Sequence, residues 1–204
     1  MKRMTCVTGT VVLLTVWLTG CVSGSAPARF YTLYADETHS AEVSAAIGEE
    51  WVGVGPIDVP SYLDRPQIVT RGEGHRLIVH EFDRWADPLK DRILDVLMEN
   101  VVSLSDSKRV APYPWPSAFR PDHRVLGEIN AFEAGPSGEV ILKTRWTVQI
   151  PGQADQATVR ISEYREAADP ADFNSIAAAM SRALARWSRD IASALSESTT
   201  PVQQ

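Results

Sequence analysis

The chain has 204 residues, 44% of them hydrophobic, with 20 basic and 26 acidic side chains and a net charge of −6. That length suits one domain with tails, and the apolar fraction lies above the range of disordered chains. The acidic balance excludes the basic footprint that nucleic-acid binding needs, and it offers anionic headgroups nothing to attract.

Lys2 and Arg3 precede an apolar run from Val7 to Leu18, followed by small residues around Gly20. This is the layout of a secretory signal, and the run is shorter than the ~20 apolar residues of a spanning helix. Residues 1–20 are therefore read as signal peptide. Its removal takes the basic count from 20 to 18 against 26 acidic residues, a net of −8. Cys6 leaves with the signal, so Cys21 has no partner for an internal disulfide. The stretch Leu18-Thr19-Gly20-Cys21 resembles the bacterial lipobox, whose cysteine is acylated on sulfur and becomes the new N-terminus. The resemblance implies anchoring by three acyl chains, each buried methylene contributing ~0.8 kcal/mol. Val22, where inner-membrane lipoproteins typically carry aspartate, implies the outer membrane, facing the periplasm.

Residues 21–29 read as a flexible tether of small residues and proline, reaching at most ~30 Å from Cys21 to Phe30. Phe30–Tyr34 is an aromatic strand candidate, and 35–50 is a loop or weak helix. Strands follow over "WVGVGPIDVP", ended by Pro60, and over "PQIVTR" and "HRLIVHEFDRW", with Gly72 and Gly74 in the turn between. The first convincing helix has Asp87 as N-cap and Pro88 in its first position, with Leu89, Ile93, Leu97, Val101 and Leu104 as its apolar stripe. "PYPWP" at 112–116 is an extended connection. Residues 123–166 read as a β-meander with turns at "GPSG" and "PGQAD". A long helix capped near Asp172 carries Phe173, Ile176, Met180, Leu184, Trp187, Ile191 and Leu195 on one face, with Arg182, Arg186 and Arg189 away from it. Residues 196–204 read as a disordered tail. Two helices among six or seven strands give an α/β domain over 30–195, its sheet at least partly antiparallel.

Motif searches for chemistry come back empty. The chain has no G-x-S-x-G, H-E-x-x-H or C-x-x-C, and no P-loop, so it cannot hydrolyse a nucleotide in the Walker manner. "GVG" at 53–55 lacks the third glycine of a dinucleotide fingerprint. His75 and His80 point to opposite faces of one strand, and His39 and His123 sit in loop-like contexts, so no metal site is assigned. Glu81, Asp83 and Asp87 could be arranged as acid–base groups of a hydrolase, with Glu81 and Asp83 on one strand face. Read blandly, they are solvated residues beside a helix cap. The arginines of the last helix are either a solvated face or a headgroup contact.

What generic propensity does not explain is "VPSYLDRPQIVTR" followed by "FDRWADPLKDRILDVL". This pair, behind a lipobox and an "FYTL" strand, resembles the PqiC/YmbA family, auxiliary lipoproteins of ABC-type and MCE-type intermembrane transport systems. Pro60, Tyr62, Leu63, Asp64, Arg65, Pro66 and Gln67, running on into Ile68 and Val69, carry the resemblance, with Trp85 and Leu89 as the second anchor. It implies a single three-layer α/β domain with a mixed sheet, similar to the TolB N-terminal domain and anticodon-binding folds. It implies partners too: a periplasm-spanning MCE protein carrying lipid, ABC and permease components of the same system, and a homo-oligomer matched to a ring-shaped carrier. It brings no catalytic residues, cofactor or metal, and the motif positions are assigned to structure or to partner contact.

Overall fold

A computed structural model describes residues 26–36, 49–105, 108–153 and 157–199. The signal peptide, Cys21 and most of the tether lie outside the described residues, as do His39 and the last five residues. Among the described residues are eight strands and two helices: β1 (Arg29–Tyr31), β2 (Val52–Asp58), β3 (Gln67–Arg71), β4 (Leu77–Trp85), α1 (Leu89–Ser105), β5 (Val110–Pro112), β6 (His123–Ala134), β7 (Glu139–Gln149), β8 (Arg160–Ala167) and α2 (Phe173–Thr199). The expected mixed sheet is present as two. One has five strands in the order β5-β2-β6-β7-β8, the other three in the order β1-β4-β3. In the larger sheet β5, β2 and β6 run parallel, and β6, β7 and β8 form the antiparallel meander that the alternating sequence predicted.

Both helices cover one face of the larger sheet, α1 over β2 and β5, α2 over β6, β7 and β8. The apolar stripes of the sequence become this core: Ile93, Leu97 and Val101 from α1, Leu184, Trp187 and Ile191 from α2, Phe132, Leu142 and Trp146 from the sheet. Helix α1 starts one residue later than expected, since its first bond runs from the Arg92 N–H to the Pro88 carbonyl. Helix α2 is capped by Asp172, whose carboxylate accepts from the Asn174 N–H at 2.9 Å.

Three boundaries differ from expectation. Of the aromatic run Phe30–Tyr34 only Phe30 and Tyr31 lie in a strand, which begins at Arg29. The chain then straps across the helix pair, burying Leu33 completely. The Arg92 guanidinium donates to the Leu33 carbonyl (2.7 Å), and the Asp36 N–H donates to Asn100 Oδ1 (2.9 Å). Asn100, itself buried, donates in turn to Ser188 Oγ across the helix pair. Second, α2 continues through Thr199, so the first residues assigned to a tail belong to the domain. Glu197 is paired with Arg160 at 2.7 Å, and Ser198 lies 3.2 Å from His123 Nδ1. Third, His123 is the buried first residue of β6, not a loop residue, and its Nε2 meets Glu50 at 2.6 Å. Val110–Pro112 also adds a short edge strand, where a proline can end the ladder.

The smaller sheet meets the rest of the domain where β3 contacts β6 and β1 contacts α2. Two bulges set which side chains meet there. In β6 the register shifts between Ile129 and Ala131, so Phe132 continues the helix-facing row and Glu133, opposite Ile141, points to the far face. In β4 the pairing jumps from Ile68–His80 to Gln67–Arg84. The odd and even faces therefore exchange between His80 and Asp83. Both His80 and Tyr31, which shares Asp83's face, pack against the Phe173 ring at the start of α2, with centroids at 4.6 and 6.0 Å.

Candidate functional site at the motif junction

The motif residues fold onto one another. Pro60 to Pro66 form the turn from β2 into β3, closed by the Leu63 N–H on the Pro60 carbonyl and the Arg65 N–H on the Leu63 carbonyl. The second anchor joins it directly: the Trp85 N–H donates to the Pro66 carbonyl at 2.7 Å. Leu63, Trp85 and Leu89 are all buried in one apolar cluster, with Tyr62 packed against it. Gln67 opens β3 opposite Arg84, and its amide reaches Glu81 at 3.3 Å. Asp64, Arg65 and Pro66 stand exposed at the tip. They do not pair there. The motif thus has an inward half that closes the fold and an outward half presented to solvent.

The inward half is fastened to the larger sheet by a carboxylate that the motif does not contain. Glu133 is 3% exposed. It accepts the Tyr62 hydroxyl at 2.7 Å, the Arg71 guanidinium and the Phe132 N–H at 2.9 Å. Burial, reinforced by the Glu133 carboxylate, pushes the Tyr62 phenol well above its ordinary range. The nearest sequence signal was a glutamate in the otherwise apolar "AFEA" at 131–134, and its meaning depended on the β6 bulge.

A second buried carboxylate fastens β1. Asp83 accepts Arg29 Nε and Nη2 at 2.8 and 2.9 Å and the Tyr31 hydroxyl at 3.0 Å. Burial raises its pKa, but the hydrogen bonds from Arg29 and Tyr31 outweigh that and hold the carboxyl below its ordinary value. Of the three acids weighed as a hydrolase site, Asp83 is therefore occupied, while Glu81 and Asp87 are exposed. The β4 bulge also takes Glu81 off the face expected to hold both. No acid–base pair is assembled.

Beside the junction a cleft of about 340 Å³ opens between the β3–β4 hairpin and the start of α2. Arg71, Arg76, Ile78, His80, Phe173 and Ile176 line it. Thr70 Oγ1 lies 2.8 Å from His80 Nε2, and burial lowers the His80 pKa, leaving the ring neutral near pH 7. Among the described residues no group of His, Cys, Asp or Glu side chains could hold a metal. The α2 arginines are largely engaged by the protein itself: Arg182 and Arg186 reach Glu166 of β8 at 3.1 and 3.4 Å. "GVG" serves packing. A Cβ on Gly53 would lie 2.4 Å from the Trp115 ring, so only glycine lets the "PYPWP" tryptophan rest on β2.

The family described as ABC-type transport auxiliary lipoprotein component matches residues 31–192. The intermembrane transport lipoprotein PqiC of Escherichia coli K12 is 24% identical over 151 residues, 74% of this chain and 79% of that protein. The Shigella flexneri protein of the same name matches equally. Among solved structures, a Xanthomonas campestris protein of the DUF330 family superposes with a TM-score of 0.64 at 16% identity, covering 83% of this chain and 97% of that one. A further crystal structure gives a TM-score of 0.66 at 18% identity over 82% and 98%. These likenesses show a shared fold.

Proposed function

The chain belongs to the ABC-type transport auxiliary lipoprotein family, and from that premise we propose that it is the outer-membrane docking subunit of an MCE/ABC-type intermembrane lipid transport system. The observation that carries this reading is the family match over 31–192, which takes in both motif anchors. Acylated Cys21 holds the domain on the periplasmic face of the outer membrane, where it contributes to envelope integrity. The work is binding, without turnover. The inward half of the motif builds the platform, and the tip at Asp64, Arg65 and Pro66 meets a periplasm-spanning MCE protein, with homo-oligomerisation matching a ring-shaped carrier. ABC and permease components supply the energy.

A photo-crosslinking residue at Asp64 or Arg65 in living cells tests the partner. Adducts with an MCE protein are expected, and adducts that form equally from Arg145, on the far face of the large sheet, remove the proposal. Palmitate labelling tests the anchor: it is lost in Cys21→Ala if the reading is right and persists if it is wrong.

A further inference from the structure

Five of the ten large apolar side chains that stand exposed among the described residues lie on the smaller sheet. Leu77, Ile78, Val79 and Phe82 of β4 are 38 to 45% exposed, and Phe30 of β1 is 65% exposed. The bulge in β4 sorts them by face. His80 and Tyr31 mark the side turned toward Phe173. Leu77 and Val79 alternate away from His80, and Phe30, level with Arg84, alternates away from Tyr31. Phe82 sits at the bulge between them. Along β1 and β4 the sheet therefore carries an apolar outer face of Phe30, Leu77, Val79 and Phe82, with Arg84 within it, Arg76 at the hairpin end and Arg65 at the motif end. Ile78 faces the cleft, and on β3 the outer face is closed by buried Val69 and by Arg71 on Glu133.

Single exposed apolar residues are ordinary, but this many on one three-stranded sheet form a patch that something covers. On the outer face of the five-stranded sheet Ile161, 76% exposed opposite Arg145, stands instead among ion pairs. There Lys143 pairs with Glu163 at 3.0 Å, and Arg165 bridges Glu163 and Glu139.

Where the chain enters the fold identifies the cover. β1 is an edge strand of this same sheet and the first element after the tether. Arg29 lies eight residue steps from Cys21, a reach of at most ~26 Å. An acylated Cys21 keeps this sheet, more than any other surface of the domain, beside the leaflet.

We infer that the outer face of the three-stranded sheet rests on the lipid surface, with Phe30, Val79 and Phe82 in the headgroup region and the arginines level with the phosphates. The inference rests on the reading of Cys21 as the anchor and adds an orientation to it. Arg84 within the patch is paired with Glu81 at 3.6 Å, so the contact is mainly apolar and insensitive to salt. The motif tip then lies at the rim of the contact, where a carrier reaching the leaflet meets it.

The test uses the full lipidated chain in phosphatidylethanolamine/phosphatidylglycerol vesicles that contain a nitroxide-labelled lipid. Single cysteines replace Val79, Phe30 or Arg145 and carry an environment-sensitive fluorophore; acylated Cys21 does not react. Vesicle flotation followed by several-fold stronger quenching at 79 and 30 than at 145, unchanged in high salt, is the expected result. Flotation with equal or no quenching at the three positions overturns the docked face while leaving the anchor standing. Failure to float overturns the anchor reading, and the docked face with it.

Discussion

The helix-covered face of the large sheet and the junction beneath the small one are held together by different physics. The first is a continuous apolar core in which Trp146, Trp187, Phe132 and the aliphatic rows of α1 and α2 are almost wholly buried. Its stability comes from area removed from water, which neither pH nor salt readily changes. The second is a thin contact fastened by two buried carboxylates, Glu133 holding Tyr62 and Arg71, and Asp83 holding Arg29 and Tyr31. Such bonds are directional and individually modest, so they fix where a small sheet sits better than they stabilise the whole. The region that carries the family motif is thus the region most dependent on single side chains.

The comparison can be broken from either side. Trp187→Ala, in the core, is expected to have the largest effect, about 3–5 kcal/mol, read from equilibrium urea unfolding. Glu133→Ala should cost about 2–3 kcal/mol by losing charge-assisted bonds and stranding the Tyr62 hydroxyl. Its signature is local: amides of residues 60–71 lose hydrogen-exchange protection before those of α2, and simultaneous loss would mean that the two regions unfold as one. Gly53→Ala is expected to cost about 1–3 kcal/mol by driving Trp115 off β2, with a shift in tryptophan emission. An unchanged spectrum would show that the ring does not depend on that glycine.

Asp83→Asn has the smallest expected effect, about 1 kcal/mol, because the Arg29 guanidinium remains largely solvated. It also has a pH signature. The folded-state pKa of Asp83 lies below the ordinary value of 3.8, so its stabilisation is complete above that value and is lost as pH falls through the folded-state one. The gap between wild type and variant should therefore close in acid, and a gap independent of pH would count against the pair.

The core was legible in the sequence because helical and alternating periodicities are local signals. The stripe from Leu89 to Leu104 and the row from Val140 to Val148 fold where their spacing put them. The junction was legible only in part. Tyr62, Leu63, Trp85 and Leu89 stood out as a motif, and Arg71 and Tyr31 lay within the stretches that did, but Glu133 and Arg29 did not, because each of these contacts joins partners 52 to 71 residues apart. Bulges hid the rest: one aims Glu133 at the motif turn, the other separates Glu81 from Asp83. Leu77–Val79 form the expected strand, and their 38 to 40% exposure could not be read beforehand, since periodicity reports an element but not whether anything covers its faces.

The parallel pairing of β1 with β4 has a mechanical consequence. A force drawn along the tether enters the domain at Arg29 and runs along β1. It loads three residue pairs and the two-pronged Arg29–Asp83 contact together, in shear rather than by unzipping. Behind them the strap through Leu33 to Asp36 is tied to both helices. Tension applied to the chain ahead of Arg29 is thereby delivered to the interior of the fold instead of peeling away its edge.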